Sequence, residues 1–217
     1  VHAREMDFDL ELALKSDGTI LGLRGQIVSD QGAYFRTLGI VNPSLAITGL
    51  PGPYRIENYS AEMLCVLTNK SPSSPYRGAG GPEAAYARER LFDIAARELK
   101  LDPAEFRLKN LLPPEALPYD TGLTSVEAEV KFDSGDFPAV LRQALDMYDY
   151  TAFRKSQAHD RANGKLRGLG ICVYTQLAAV GPYESAEVRV SGGGKVTVVS
   201  GAAPQGQGTG TSLAQIV

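Results

Sequence analysis

Asp7-Phe8-Asp9-Leu10-Glu11-Leu12-Ala13-Leu14 alternates charged and apolar residues, and Ser16-Asp17-Gly18 follows before Leu21, Leu23 and Ile27 resume the alternation. Period-two alternation is the signature of a half-buried strand, and glycine in a short turn accepts a positive φ. The stretch therefore predicts a β-hairpin. Between Gly32 and Pro53 periodicity is lost among Gly and Pro, with room for a short helix from Ser44 to Leu50, and Glu62 to Leu67 is a compact apolar run suited to a buried strand. Cys65 within it reads as a small core hydrophobe.

Pro82-Glu83 opens the clearest helix, since proline suits the first turn and glutamate complements the positive helix start. Ala84, Ala87, Leu91, Ile94, Ala95 and Leu99 line one face, and Asp93 and Arg97 stand at pairing distance on another. Asp102-Pro103-Ala104-Glu105 supplies a cap, a first-turn proline and an acid for a second helix, which Pro113-Pro114 ends. Residues from Pro113 to about Gly135 form a proline-punctuated connection and the best candidate boundary, giving a division into 1–112 and 113–217. Asp136 begins one helical segment, with Val140, Leu141, Ala144, Leu145 and Tyr148 on one side, continuing to about Asn163-Gly164. Gly168 to Gln176 reads as an apolar strand carrying Cys172. A second hairpin joins Ser185–Val190 to Lys195–Ser200, with Ala186, Val188 and Val190 facing the same way as Val196 and Val198. Helices and strands mix without regular alternation, so the fold class is α+β.

The composition narrows function by exclusion. At 217 residues, 43% hydrophobic and 22% charged with a formal net charge of -3, the chain is neither disordered nor a basic nucleic-acid binder. No run approaches the roughly 20 apolar residues of a membrane helix. Two separated cysteines make neither a disulfide framework nor a cysteine metal site, and a reducing, cytoplasmic compartment is the simpler setting. Val1 is not methionine, and Leu213, Ile216 and Val217 make an amphipathic stripe at the other end, which together suggest an excerpt of a longer polypeptide.

Two glycine-rich segments are the candidate sites. In Ser71-Pro72-Ser73-Ser74-Pro75-Tyr76-Arg77-Gly78-Ala79-Gly80-Gly81, between a strand and a helix start, glycines let backbone approach a ligand and Arg77 can bond an anion or carbonyl-rich ring bidentately. A tight turn with a surface arginine explains it equally. In Gly201-Ala202-Ala203-Pro204-Gln205-Gly206-Gln207-Gly208-Thr209-Gly210-Thr211, amides at a helix start suit phosphate and Gln207 suits a heterocycle or oxo group, or is simply a solvated loop residue. The loop is neither a Walker loop nor a dinucleotide fingerprint. His2 and His159 read as solvated, and Tyr183-Glu184 after Gly181-Pro182 is either a site acid or an exposed turn. No Ser/His/Asp, Cys/His or HExxH grouping appears.

Thr68-Asn69-Lys70, Pro75-Tyr76-Arg77-Gly78-Ala79-Gly80-Gly81-Pro82-Glu83, Arg107-Leu108-Lys109-Asn110, Phe132-Asp133-Ser134-Gly135-Asp136 and Gly206-Gln207-Gly208 follow one another in this order. So ordered, they resemble the molybdenum hydroxylases, specifically the molybdopterin-binding large subunit of the xanthine dehydrogenase, aldehyde oxidase and carbon monoxide dehydrogenase group. The resemblance implies a two-electron hydroxylation with water-derived oxygen at a molybdenum–molybdopterin centre, in the cytosine dinucleotide form, on an aldehyde or N-heterocycle. It implies [2Fe-2S] and FAD in partner subunits, an iron–sulfur small subunit and an FAD medium subunit, and a dimer of heterotrimers. Cofactor contacts are implied at Tyr76, Arg77, Gly78 and Ala79 beside the metal, and at Gly206, Gln207, Gly208 and Thr209 around the pterin and its diphosphate.

Departures from the family pattern refine the expectation. Gly78 stands where carbon monoxide dehydrogenases place cysteine, and Ala79 where xanthine enzymes place phenylalanine. Leu45 replaces the substrate-binding arginine of xanthine enzymes, and Gln205 and Thr209 flank the second motif where many bacterial relatives have histidines. Oxidation of carbon monoxide and purine specificity are thereby disfavoured. The family's Gly-Phe-Gly loop is expected before Val1 and its general-base glutamate beyond Val217, so the chain reads as parts of two subdomains of a large subunit, inactive alone. The competing reading is a non-catalytic module that binds a phosphate ligand or a protein partner through its glycine-rich loops.

Overall fold

The computed structural model describes residues 4–36, 38–125, 128–176 and 183–217. Contacts separate a unit spanning Val1–Gln176 from one spanning Leu177–Val217. The architecture is α+β, with mixed helices and open sheets.

In the larger unit, β1 (Met6–Leu14) and β2 (Ile20–Asp30) form the expected antiparallel hairpin, paired from Met6 with Ser29 to Leu12 with Leu23. Met6, Phe8, Leu10, Leu12 and Leu14 pack toward the core, as the alternation requires. Gly18 in the turn has φ +85, a left-handed conformation that favours glycine. From β2 the chain crosses through α1 (Val41–Gly49) to β3 (Tyr59–Val66), which lies parallel to β2 with Leu23 opposite Tyr59 and Asp30 opposite Val66. The expected strand at Glu62 to Leu67 is thus present but not buried on both faces. It is an edge strand of the order β1-β2-β3, and Leu64 and Val66 are exposed because only the opposite face is covered.

α2 (Gly81–Glu98) and α3 (Pro103–Asn110) start where the proline and cap residues place them. Asp102 accepts hydrogen bonds from the amides of Ala104 (2.8 Å) and Glu105 (3.3 Å). The face of α2 that meets the core differs from the apolar stripe. Ala84 and Ala95 are buried, Ala87, Leu91 and Leu99 pack at its border, and Ile94 is exposed. The centre is occupied by Arg88, Glu89 and Phe92. Nor does Asp93 pair with Arg97. It accepts from Arg107 on α3 (2.9 Å) and lies 3.5 Å from Arg90, since the helix packed alongside supplies a better-placed guanidinium. Phe92 meets Tyr54 and Phe106 edge-on, with ring centroids 4.8 and 5.5 Å away.

The stretch from Pro113 to Gly135 carries more structure than a connection, namely a 3-10 turn at Pro114–Ala116 and an antiparallel pair, β4 (Tyr119–Ser125) and β5 (Ala128–Phe132). The single helical segment expected after Asp136 is two helices, α4 (Phe137–Tyr148) and α5 (Tyr150–Ala162). Asp149, at φ +52, breaks them, its N–H closing α4 and its carboxylate accepting from Ala152 N (3.2 Å) to open α5. Leu141 is buried, whereas Val140 and Tyr148 are exposed. Gly168 to Gln176 is not a strand. Val173 is buried, but its carbonyl accepts from Arg88 Nη2 (2.9 Å) in place of a ladder partner, and Cys172 is exposed.

In the smaller unit, β6 (Ala186–Val190) pairs with β7 (Val196–Ser200), placing Val188 opposite Val198 and Val190 opposite Val196 on one face, as expected. α6 (Thr209–Ile216) follows. His2 and Gly181-Pro182 lie outside the described residues. Among the described residues both cysteines are free, no helix is long and apolar enough to cross a membrane, and no cluster of His, Cys, Asp or Glu could hold a metal ion.

Candidate functional site

The first glycine-rich loop is anchored where two parallel strands end side by side. Asp30, at the end of β2, accepts from Gly32 N (2.8 Å) and from Thr68 Oγ1 (2.7 Å) beyond β3, and pairs with Lys70 Nζ at 2.8 Å. Lys70 also bonds Glu5 at 2.6 Å. The lysine, then the Gly32 amide and the Thr68 hydroxyl, hold the Asp30 carboxyl down at about 2, and Lys70 is correspondingly raised. Ser73 N then donates to Gln31 O at 3.0 Å, so the strand ends fix the start of the loop. Thr68 and Lys70 of the first quoted motif thus have a structural task.

At the other end of the loop, Gly78, Ala79 and Gly80 have φ values of +99, +36 and +91, three successive residues in the left-handed region. The sequence pointed to the two glycines, but not to the alanine, which pays roughly 1–2 kcal/mol for this conformation. Ala79 N donates to Tyr76 O (2.7 Å) and Gly81 N to Gly78 O (2.8 Å), making two tight turns that lead into α2. A Cβ on Gly80 would overlap the Asn42 carbonyl oxygen and lie 2.7 Å from Ala46 N, so the loop is pressed onto the first turns of α1. A Cβ on Gly78 would lie 2.9 Å from Pro82. Arg4 bonds Glu83 at 2.7 Å and reaches Tyr76 O at 3.4 Å, leaving Tyr76 and Arg77 exposed. The geometry brings Tyr76, Arg77, Gly78 and Ala79 into one compact turn.

In the smaller unit, Gly206 and Gly208 have φ +96 and +80, and Gly208 precedes α6 as its cap. The Gln207 amide turns back on its own loop, Oε1 accepting from Gln205 N at 2.5 Å and Nε2 donating to Ala203 O at 3.3 Å. It shapes the loop that was expected to present it. Left-handed backbone accounts for Gly208, but Gly210 lies within the first turn of α6 and a Cβ there would meet nothing within 4 Å. Glycine inside a helix costs about 1 kcal/mol relative to alanine. Nothing inside the described residues calls for it. Gly206, Gln207, Gly208 and Thr209 are thus drawn together in a second turn, and Glu184 stands near the start of the loop, its Oε1 2.8 Å from where a Gly201 Cβ would be.

Molybdopterin cofactor-binding domains match residues 1–111 and, separately, 143–217. The chain belongs to the molybdopterin cofactor-binding family. It is 41% identical over 216 residues to the gamma subunit of the 6-hydroxypseudooxynicotine dehydrogenase complex of Paenarthrobacter nicotinovorans, covering 100% of this chain and 27% of the relative. It is 35% identical to the carbon monoxide dehydrogenase large chain of Hydrogenophaga pseudoflava, across 99% of this chain and 28% of that one. Quinoline 2-oxidoreductase from Pseudomonas putida 86 superposes with a TM-score of 0.84 at 34% identity, over 98% of this chain and 28% of that structure's chain. The chain therefore spans just over a quarter of the length of the relatives it matches.

Beneath this molybdopterin-binding scaffold lies a charged core that sequence reasoning missed. Arg88 and Arg107, 1% and 0% exposed, converge on the Glu89 carboxylate. Glu89 accepts from Arg88 Nε (3.0 Å), Arg107 Nε (2.7 Å) and Tyr54 OH (3.0 Å). Arg88 also donates to the carbonyls of Gly49, Leu50 and Val173, and Arg107 to those of Pro103 and Glu89. Burial, then the Glu89 charge, pushes the Tyr54 hydroxyl well above its ordinary range. Asn110 accepts from Ile20 N and donates to Gly18 O, both at 2.9 Å, stapling α3 to the β1–β2 turn. Arg107 and Asn110, quoted only as motif residues, are therefore structural keystones. The available signal was Arg88-Glu89 set between Ala84-Ala85, Phe92 and Ala95-Ala96 on a helix, a position that buries charge.

Proposed function

We propose that this chain supplies two of the loops that hold a molybdenum–molybdopterin cofactor, in its cytosine dinucleotide form, within an oxidoreductase that hydroxylates an N-heterocycle or aldehyde. The observation that carries the reading is the Tyr76–Gly80 turn, whose three successive left-handed residues fold the backbone tightly beside an exposed arginine. Arg77 would orient an oxo group or a carbonyl-bearing ligand through its planar fork. Gly80, pressed on α1, and Gly78, against Pro82, would fix the shape of the turn that meets the ligand. Gln207 would hold the second loop so that the opening amides of α6 meet a phosphate, with Gly206, Gly208 and Thr209 forming its rim. When bound, the cofactor supplies two-electron oxidation with oxygen taken from water, and the protein contributes binding and orientation.

An N-heterocycle is favoured by the likeness to quinoline 2-oxidoreductase and by Ala79, which leaves space beside the turn. Gly78, where carbon monoxide dehydrogenases carry cysteine, argues against carbon monoxide. The relatives named as a gamma subunit and a large chain support an assembly of several subunits, in which iron–sulfur and FAD partners would carry electrons away. The test is metal and nucleotide analysis of the full-length protein purified in active form. Stoichiometric molybdenum and cytidine monophosphate released by acid hydrolysis are expected, and absence of both from active protein would overturn the reading.

A further inference from the structure

We infer that Asn42 is a positioning residue whose amide holds the Arg77–Gly80 loop in the arrangement it takes around its ligand, an inference that rests on the function proposed above. Asn42 stands in the first turn of α1 and is 0% exposed, yet neither its Oδ1 nor its Nδ2 has a hydrogen-bond partner. A buried amide costs free energy on each unmet group, and native proteins pair the great majority of them. Leucine has nearly the same shape and would avoid the cost altogether. An asparagine kept here therefore serves an arrangement other than the one seen.

What lies against it identifies that arrangement. The backbone carbonyl of Asn42 is the atom that a Cβ on Gly80 would overlap, so the residue sits directly beneath the loop. That loop holds Ala79 at φ +36 between two left-handed glycines, a conformation of raised energy with room to relax. Gln31, whose carbonyl anchors Ser73 at the loop's other end, is 1% exposed and also has an unpartnered side-chain oxygen, Oε1. That oxygen stands 2.8 Å from where a Cβ on Gly39 would be, so of the two residues only Asn42 lies under the Gly78–Gly80 turn. A rearranged Tyr76–Gly80 backbone would present an amide or carbonyl to Asn42, and a ligand gripping the loop from outside would favour that rearrangement.

The test is Asn42→Leu in the full-length protein, with Asn42→Ser as a companion that keeps one donor and acceptor. Molybdenum retained on dialysis is compared with the melting temperature of protein made under molybdate starvation. Asn42→Leu is expected to lose molybdenum roughly five- to tenfold faster, the factor for about one net hydrogen bond, while molybdenum-free protein melts at the same temperature or higher. Asn42→Ser is expected to fall between. Unchanged molybdenum retention in Asn42→Leu, or a lowered melting temperature of its molybdenum-free form, would overturn the inference while leaving the proposed function standing. Wild-type protein that is active without molybdenum would overturn both.

Discussion

Glu89→Ala is expected to loosen the packing of α2 on α3 more than any change at the surface. The carboxylate is 5% exposed and answers two guanidinium groups that are themselves fully enclosed. Without it, Arg107 keeps Asp93 at 2.9 Å, but Arg88 is left with only the carbonyls of Gly49, Leu50 and Val173. Breaking a buried pair by removing one partner costs about 3–5 kcal/mol, because the remaining charge is stranded in a poorly polarisable interior. Asp93, with 26% of its side chain exposed, offsets part of the loss on Arg107, so the lower end applies. About 3 kcal/mol corresponds to roughly a hundredfold in an opening equilibrium. Amide hydrogen exchange of α2 and α3 in the full-length protein reads that equilibrium locally, without assuming that a multidomain chain unfolds in one step. Glu89→Gln, which keeps an acceptor but not the charge, should fall between. Protection in Glu89→Ala within about fivefold of wild type would refute the reasoning, since that is the scale of one ordinary hydrogen bond.

Gln207→Ala removes the internal bonds to Gln205 and Ala203, and is expected to lower molybdenum and nucleotide content in full-length protein, measured by metal analysis, with the hairpin β6–β7 intact by hydrogen exchange. Gly210→Ala should strengthen α6 by about 1 kcal/mol through helix propensity, seen as slower exchange, yet reduce nucleotide retention. Retention unchanged would show that no ligand approaches there. For Asp30, the folded pKa of about 2 lies below the unfolded value of about 3.9. Its contribution is complete above the unfolded value and is lost as pH falls toward 2, so exchange protection of β2 and β3 should drop across that window in wild type and lose this dependence in Asp30→Asn.

The elements legible in the sequence were those whose evidence is local. Alternation from Asp7 to Leu14 with Asp17-Gly18 fixes the first hairpin, and Asp102-Pro103 fixes the start of α3. The misread elements depend on neighbours distant in the chain. The buried face of α2 includes Arg88 and Glu89 because Tyr54 and Arg107 arrive from elsewhere to satisfy them, and a periodicity built on apolar residues rotates the helix away from them. The apolar run from Gly168 to Gln176 resembles a strand, but a guanidinium takes the Val173 carbonyl that a ladder would need. At the site, glycines announced both turns, whereas the left-handed Ala79 and the unpaired amide of Asn42 follow from packing that no single-residue preference encodes.

Arg88 and Gly80 together make α1 a strut pinned at both ends. Its nine residues span about 14 Å, with the loop pressed on its first turns and the guanidinium gripping the carbonyls of Gly49 and Leu50 at its last. A strut so held would strain two joints if it slid or tilted, which keeps the base of the Tyr76–Gly80 turn in register with the scaffold. Such a layout separates two evolutionary tasks. Replacements within the turn can retune what is grasped, while the distance from turn to scaffold stays constant from one specificity to the next.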